Sequence, residues 1–379
     1  MMNDDTPFFS RLRAAAMSHG GLFNAHLHLD RAGTLEAPSR EAKEDRISQS
    51  AISLSQKHGL IPRIHASQHY DPDTMAKKLD FYLDRMVKAG TTRADTLVDV
   101  TTDSVGLTAF EVFRAAKKQR SGQIELGLGA YTPFGYRDDE SSRWELVKQA
   151  ALEADFIGSL PERDDRVNYP EHIGFREHCR RILKLADELG KPVHIHVDQR
   201  NEPSERGSEI VLEVMEELGW KAAADTDPTV WLIHVISPST YPEERFQKLL
   251  ERMVLLNIGI VTCPSAAISM RQWRSLHTPT FNSIARVLEM LAAGIHVRVG
   301  SDNICDLTSP AGTPDLLAEI YVLCNALRFY DEEILAKLSS GIKLDRIERE
   351  IVAEHLKQDA REVQEAVKKW SSVTPSCQG

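Results

Sequence analysis

GLFNAHLHLD, residues 21–30, sets two histidines one residue apart at the end of a short apolar run, with an aspartate two positions further on. Alternate side chains of a β-strand share a face, so His26, His28 and Asp30 are expected on one side, with Ala25, Leu27 and Leu29 on the other. Such a pair is either two polar residues on one strand face or half of a metal site. A zinc-type ion needs three or four protein ligands, so the rest of the chain must supply the others.

Working outward, seven further short β-like runs follow the strand at 22–28: RADTLVDV (93–100), IELGLGAY (124–131), DFIGSL (155–160), KPVHIHVD (191–198), TVWLIHVI (229–236), NIGIVTC (257–263) and IHVRVGSD (295–302). Amphipathic helical stretches lie between most of them, such as MAKKLDFYLDRMVKAG (75–90) and EHCRRILKLADELG (177–190), and many end in glycine just ahead of the next strand. Another helix is expected at about 7–18. Eight strands alternating with helices predict an α/β fold, a (β/α)8 TIM-type barrel; an open doubly wound sheet is the second choice.

The chain of 379 residues reads as a single domain, 1–379, with the barrel core at about 20–325 and a helical C-terminal extension at about 326–379. There is no strand-rich tail, so little or no accessory β-sandwich is expected. The segment from Asp30 to Pro72 is long for a βα connection and is expected to cover the barrel mouth. Apolar residues at 42% and charged residues at 27% are ordinary for a soluble enzyme, and no apolar stretch reaches membrane-spanning length. The acidic start MMNDDTPFF lacks the pattern of a signal peptide, and five scattered cysteines without a CxxC pair fit a reducing compartment, so a cytoplasmic location is expected. A net charge of −10 without a basic block argues against nucleic acid or an anionic membrane as partner and for a small-molecule substrate.

His194 and His196 fall in the fifth strand run, His234 near the end of the sixth, and Asp302 directly after the eighth. The C-terminal rim of an α/β barrel is where active sites are built from residues distant in sequence. Imidazoles from several strands and a carboxylate at that rim make a borderline-soft metal site with room for water.

These motifs, NAHLHLD at the first strand, HIHVDQ at the fifth, LIHVIS at the sixth and VGSDN followed by DL at the eighth, resemble those of the amidohydrolase superfamily of metal-dependent barrel hydrolases, and within it the cytosine deaminase-like branch. The spans EADFIGSLPE and NIGIVTCPSAAISM run similarly, and the resemblance covers roughly residues 20–330. It implies His26, His28, His196 and Asp302 as metal ligands, and His234 as the residue that hydrogen-bonds the nucleophilic water or a substrate oxygen. Two-metal members bridge their ions with a fourth-strand lysine or glutamate. ADFIGSLPE has no lysine and Glu162 lies past the strand end, so one divalent ion is expected, zinc first, with iron or manganese as alternatives.

Departures from the branch cluster at substrate and proton-transfer positions. Gln199 stands where the branch has a proton-shuttling glutamate; it hydrogen-bonds but does not titrate, leaving Asp198 and Glu202 as nearby carboxylates. Arg31 replaces a lysine, trading a point charge for a planar fork. Asn303 replaces an aspartate, and the substrate-reading glutamine of the third strand falls at or next to Pro133. The expected catalytic residues are therefore Asp302 as ligand and base, His234 and Gln199, with Arg31, Gln199, Asn303 and Trp273 as candidate substrate contacts.

Other residues read more plainly. His194 lies one layer deeper than His196 and is expected to be a core histidine. His65 and His69 are read as solvated loop residues, Cys263 as a buried strand-end thiol, and Arg271, Trp273 and Arg274 as either substrate contacts or surface loop. The charged run from Asp345 to Lys369 is a solvated helix face, open to use as a subunit contact in a homo-oligomer. The expected activity is hydrolysis of a C–N bond in a small cyclic or heteroaromatic nitrogen compound, by deamination or cyclic amide hydrolysis. A non-hydrolytic lyase or isomerase on the same scaffold, or a catalytically silent small-molecule binder, is the alternative.

Overall fold

A computed structural model describes residues 6–35, 53–221, 226–270, 284–306 and 308–373. Its centre is one sheet of eight parallel strands in sequence order: β1 (Leu22–Leu27), β2 (Thr91–Asp99), β3 (Glu125–Tyr131), β4 (Phe156–Ser159), β5 (Val193–Val197), β6 (Val230–His234), β7 (Gly259–Thr262) and β8 (His296–Val299). Each of the eight runs read from the sequence overlaps one of these strands, β2 starting two residues ahead of its run. A parallel bridge between Leu27 and Asp302 closes the ring, with Asp302 N donating to His26 O at 2.9 Å and His28 N to Asp302 O at 3.3 Å. The fold is thus a (β/α)8 barrel, not the open sheet.

The outer face of the strands and the inner faces of the helices form one large apolar cluster. Helix Pro72–Lys88 shows the local logic: Asp71 caps it by accepting from Thr74 N at 3.1 Å, proline occupies its first position, and Met75, Leu79, Leu83 and Met86 recur at helical spacing on its buried face. Helix Phe175–Leu189 stops at Gly190, whose φ of 61° is left-handed.

The lumen is filled separately. Phe23, Ala25, Trp231, Ile233, Val261 and Cys263 make one small cluster and Leu97, Tyr131, Phe156 and Leu160 another. Ala25 therefore departs from the strict alternation expected of β1. The register of β1 on β2 shifts between Asn24 and Leu27, which breaks the alternation. Asn24 instead ties β1 to the chain after β8, with its Nδ2 donating to Ser301 Oγ at 2.8 Å and Ser301 N donating to its Oδ1 at 3.0 Å. Gly300 permits that approach, because a Cβ there would sit 2.7 Å from the His26 Cβ.

Of the long first connection, the structure describes residues 30–35 and the stretch from 53 onward: helices Leu54–His58 and Ile61–His65, then a 3-10 turn at Gln68–Tyr70. After β8 come helices Leu316–Leu327, Glu332–Ser339 and Arg346–Val373. The expected helix at the N-terminus spans Pro7–Ser18 and packs on Glu332–Ser339, with Arg11 forking onto Glu332 at 2.8 and 2.6 Å. The last helix buries Val352 and leaves Ile347 and Ile351 exposed, so its charged run lies largely on a solvated face. Among the described residues no helix is long and apolar enough to cross a membrane.

Candidate metal centre

Five side chains from four strands meet at the C-terminal mouth of the barrel. His26 Nε2 and His196 Nε2 lie 3.1 Å apart, and Asp302 Oδ1 lies 3.7 Å from His26 Nε2 and 3.5 Å from His28 Nε2. Ligand atoms of His26, His196 and His234 fall within 4.8 Å of one another, as do those of His26, His28 and Asp302.

Strand ends alone do not account for the convergence, because the backbone bends to produce it. His234 has φ 77° and Asp302 φ 59°, both left-handed, which non-glycine residues adopt at a cost of about 1–3 kcal/mol. At His234 that turn breaks the alternation that would have sent its ring away from the lumen shared by Trp231 and Ile233.

The ring environments fit a cation. His196 Nδ1 donates to Ser159 O at 2.9 Å, which leaves a lone pair on its Nε2 facing His26. The Nδ1 atoms of His26, His28 and His234 are buried without a hydrogen-bond partner. Burial, then repulsion among the histidines, lowers the pKa of His26 and His234 well below the usual value; for His28 burial is followed by Arg31. All are neutral imidazoles, the form that binds metal. Burial and then Asp306 push the Asp302 carboxyl up to about 7, a balance that a bound cation reverses. Three or four neutral nitrogens and one carboxylate form a donor set suited to a borderline divalent ion.

The other sequence candidates fall in several places. Gln199 is buried on the chamber wall with its Nε2 unpartnered. Arg31 also lines the chamber, but its fork is occupied: Nε and Nη2 donate to Asp99 Oδ2 and Oδ1 at 2.9 and 2.7 Å. Asn303 lines it too, with Nδ2 donating to Asp306 Oδ2 at 2.6 Å. Trp273, with Arg271 and Arg274, lies outside the described residues. Asp198 is no free base, since its carboxylate accepts from Gly207 N, Ser208 N and Ser208 Oγ at the start of helix Gly207–Glu217. Glu162 sits in the turn after β4 and lines a neighbouring cavity. Cys263 is buried beside the site. His194 lies below His196 against Phe156, ring centroids 4.2 Å apart.

The reading of His65 as solvated is wrong: it is 3% exposed, with Nε2 2.9 Å from Asp99 and Nδ1 2.7 Å from Asp103. Two carboxylates at hydrogen-bond distance hold it in, and its pKa is raised to about 9 by those bonds against the opposing pull of burial. Its sequence neighbourhood carried no sign of them, because Asp99 and Asp103 belong to β2 and the loop after it. Tyr131, Lys57 and His58 also line the metal chamber and were missed. Tyr131 at the C-terminal end of β3 could have been named by the same rim argument that found His196. Lys57 and His58 sit on the short helix Leu54–His58 across the mouth, where only the fold places them.

No family model matches the sequence. A protein of Haemophilus influenzae, described only as uncharacterized, is 27% identical over 290 residues, covering 75% of this chain and 95% of that protein. Among solved structures, 5-methylcytosine deaminase from Klebsiella pneumoniae liganded with 5-fluorocytosine superposes with a TM-score of 0.70 at 21% identity, covering 85% of this chain and 73% of that one. N-isopropylammelide isopropylaminohydrolase from Burkholderia multivorans follows at 0.62 and 22%, covering 85% and 73%. Atrazine chlorohydrolase from Arthrobacter aurescens complexed with zinc gives 0.56 at 16%, covering 85% and 69%. Fold and site together define an α/β barrel with a histidine and carboxylate cluster at its C-terminal rim. The likeness to these solved structures is one of fold, an eight-stranded α/β barrel.

Proposed function

We propose that the protein is a metal-dependent hydrolase that attacks a C–N bond of a small cyclic or heteroaromatic nitrogen compound, by deamination or by opening a cyclic amide. The observation that carries this reading is the meeting of His26 Nε2 with His196 Nε2 at 3.1 Å and of Asp302 Oδ1 with His26 and His28 Nε2 at 3.7 and 3.5 Å. The fold neighbours named above act, by their names, on small nitrogen heterocycles.

A divalent cation held there, zinc by the donor chemistry with iron or manganese as alternatives, would lower the pKa of water towards neutrality and polarise a substrate oxygen. Asp302 would take the water proton at a carboxylate oxygen and return it to the leaving nitrogen. His234, a neutral imidazole facing the same point, would orient the nucleophile or donate to the developing oxyanion. Gln199 would use its unpartnered Nε2–H to fix the ring without moving a proton. Leu54, Lys57 and His58 of helix Leu54–His58 line the metal chamber, a cavity of about 40 Å³ among the described residues, and a wall there would limit bulk water. One ion is the proposed complement, since Glu162 faces another cavity and no lysine lies on β4. In this reading the enzyme works in the cytoplasm on a small molecule.

The test is metal analysis after gentle purification together with a screen of cyclic amides and amino-heterocycles for ammonia release or ring opening. About one ion per chain and turnover of a member of that set are expected. Absence of bound metal, or a metal-loaded protein inert on the whole set, would sink the reading.

A further inference from the structure

A second cavity of about 300 Å³ opens beside the metal chamber, and Leu54 and His58 belong to the walls of both. Its wall carries three arginines, and two of them are spoken for. Arg200 Nε donates to Glu205 at 2.7 Å, and Arg206 pairs with Glu209 and Glu213 at 3.1 and 3.0 Å. Arg163 differs. It donates to the Tyr169 hydroxyl, has no carboxylate partner among the described residues, and its Nε is buried without any hydrogen bond.

The acidic groups on the same wall do not fill that gap. Glu205 accepts from Arg200 and from Ser237 Oγ, Asp198 is capped by Gly207 and Ser208, and Asp165 accepts from Val167 N and Asn168 Nδ2 at 3.0 and 3.2 Å. Glu162 alone shows a buried oxygen, Oε1, with no partner. Burial and then Glu205 raise its pKa well above the usual range, which favours the protonated form, and Gln199 lies against it. Arg163 lies over the Tyr169 ring at 4.5 Å, yet its Nε and the Glu162 Oε1 on the same wall are buried atoms without a partner, which costs free energy unless a ligand answers them. The group that answers both is an anion able to accept from each, and a planar carboxylate matches the guanidinium fork. Arg163 also acts electrostatically on His58 and Tyr131 of the metal chamber, so the two spaces are close enough for one ligand.

We propose that this second cavity is a substrate subsite in which Arg163 receives a carboxylate, so that the substrate is a nitrogen heterocycle carrying a short acidic side chain. The ring half of this statement rests on the function proposed above, and the carboxylate half does not. Arg163 is a specificity residue here, and Glu162 a second polar group on the same wall.

The experiment uses the zinc-loaded protein and two ammelides differing only at the exocyclic nitrogen, one N-(2-carboxyethyl) and one N-butyl, with binding read by calorimetry. The carboxyethyl compound should bind at least tenfold more tightly. Arg163→Gln should abolish that preference, Arg163→Lys should restore part of it, and the surface control Arg252→Gln should leave it intact. Butanoate and butanol serve as ring-free probes by saturation-transfer NMR; butanoate alone should bind, and only while Arg163 is present. Equal affinity for the two ammelides, or a preference that survives Arg163→Gln, overturns the subsite. Failure of both ammelides with Arg163-dependent binding of butanoate keeps the subsite and counts against the heterocycle; failure of butanoate as well removes the subsite.

Discussion

Arg31 and Asp99 face each other as two parallel forks, Nε to Oδ2 at 2.9 Å and Nη2 to Oδ1 at 2.7 Å, both side chains almost wholly out of contact with solvent. The pair joins the residue after the first-strand motif to the end of β2 and stands behind His28. Desolvation makes such a pair a poor source of net stability but a costly one to break, because the orphaned charge stays buried. Asp99→Ala is expected to destabilise the fold by about 3–5 kcal/mol, whereas Arg31→Met combined with Asp99→Leu should cost less than Asp99→Ala alone. Urea unfolding midpoints decide it, and a double variant worse than the single one would refute the desolvation argument.

The same aspartate holds His65, and here the effect depends on pH. A histidine whose pKa rises from 6.5 to about 9 on folding contributes stability that is fully present below pH 6.5 and is lost as pH rises through 9. Stability should therefore fall between those limits, and His65→Gln should flatten that part of the profile. Urea midpoints at half-unit pH steps are the measurement. An unchanged slope in the variant would mean that His65 is neutral in the folded protein.

The barrel was legible because its periodicity is carried locally: each strand run and each helix stop lies within a few residues of the element that it defines. The meeting of His26, His28, His196, His234 and Asp302 was legible because the barrel rim gathers strand ends, so position along a strand stands in for position in space. What did not show was everything that the chain brings from elsewhere. Asp99 reaches Arg31 and His65 from β2, 68 and 34 residues away in sequence. The register shift that turns Ala25 inward and the left-handed turn at His234 both break alternation, and no residue type announces either. Arg163, with its neighbours Glu162 and Tyr169, became visible only once the cavity wall could be inspected for unmatched donors.

His234 offers a test in which backbone and side chain separate. Its φ of 77° is tolerated by asparagine far better than by a β-branched residue. His234→Asn should keep the melting temperature within a few degrees while lowering turnover by about 10²-fold or more, as expected for loss of an oxyanion donor. His234→Val should lose turnover and also about 1–3 kcal/mol of stability, from strain at the same angle. Equal stability of the two variants would show that the turn is not strained.

Removing the ion should be felt by the whole barrel mouth. His26 crowds His196 at 3.1 Å and Asp302 at 3.7 Å, with His28 3.5 Å from the same carboxylate, so an ion bound there would stabilise the folded state by mass action. Treatment with a chelator should lower the melting temperature, and added zinc should restore it in a concentration-dependent way. His196→Ala should abolish both the bound metal and the shift. A chelator-insensitive melting curve from a protein that does contain metal would place the ion elsewhere.

Gln199 gives the sharpest view of which reaction the site performs. Its side chain is 6% exposed with Nε2 unpartnered, and Glu162 lies against it. A glutamate at this position would be buried beside Glu162, and burial with a second carboxyl nearby raises a carboxyl pKa towards neutrality, where it serves as proton donor. If deamination in the present enzyme is held back by a missing proton carrier, Gln199→Glu should raise ammonia release from aminopyrimidines or aminotriazines by about tenfold or more, within the range that general acid–base groups contribute. It should also introduce a descending alkaline limb in kcat as the new acid ionises. Cyclic amide opening, which needs no delivery of a proton to an aromatic ring nitrogen, should instead be unchanged or slower. Parallel assays of both substrate types with the two proteins therefore separate deamination from ring opening, and a variant that lowers both rates equally would mean that the glutamine is there to hold the ring, with its amide donor and not its lack of charge as the feature that matters.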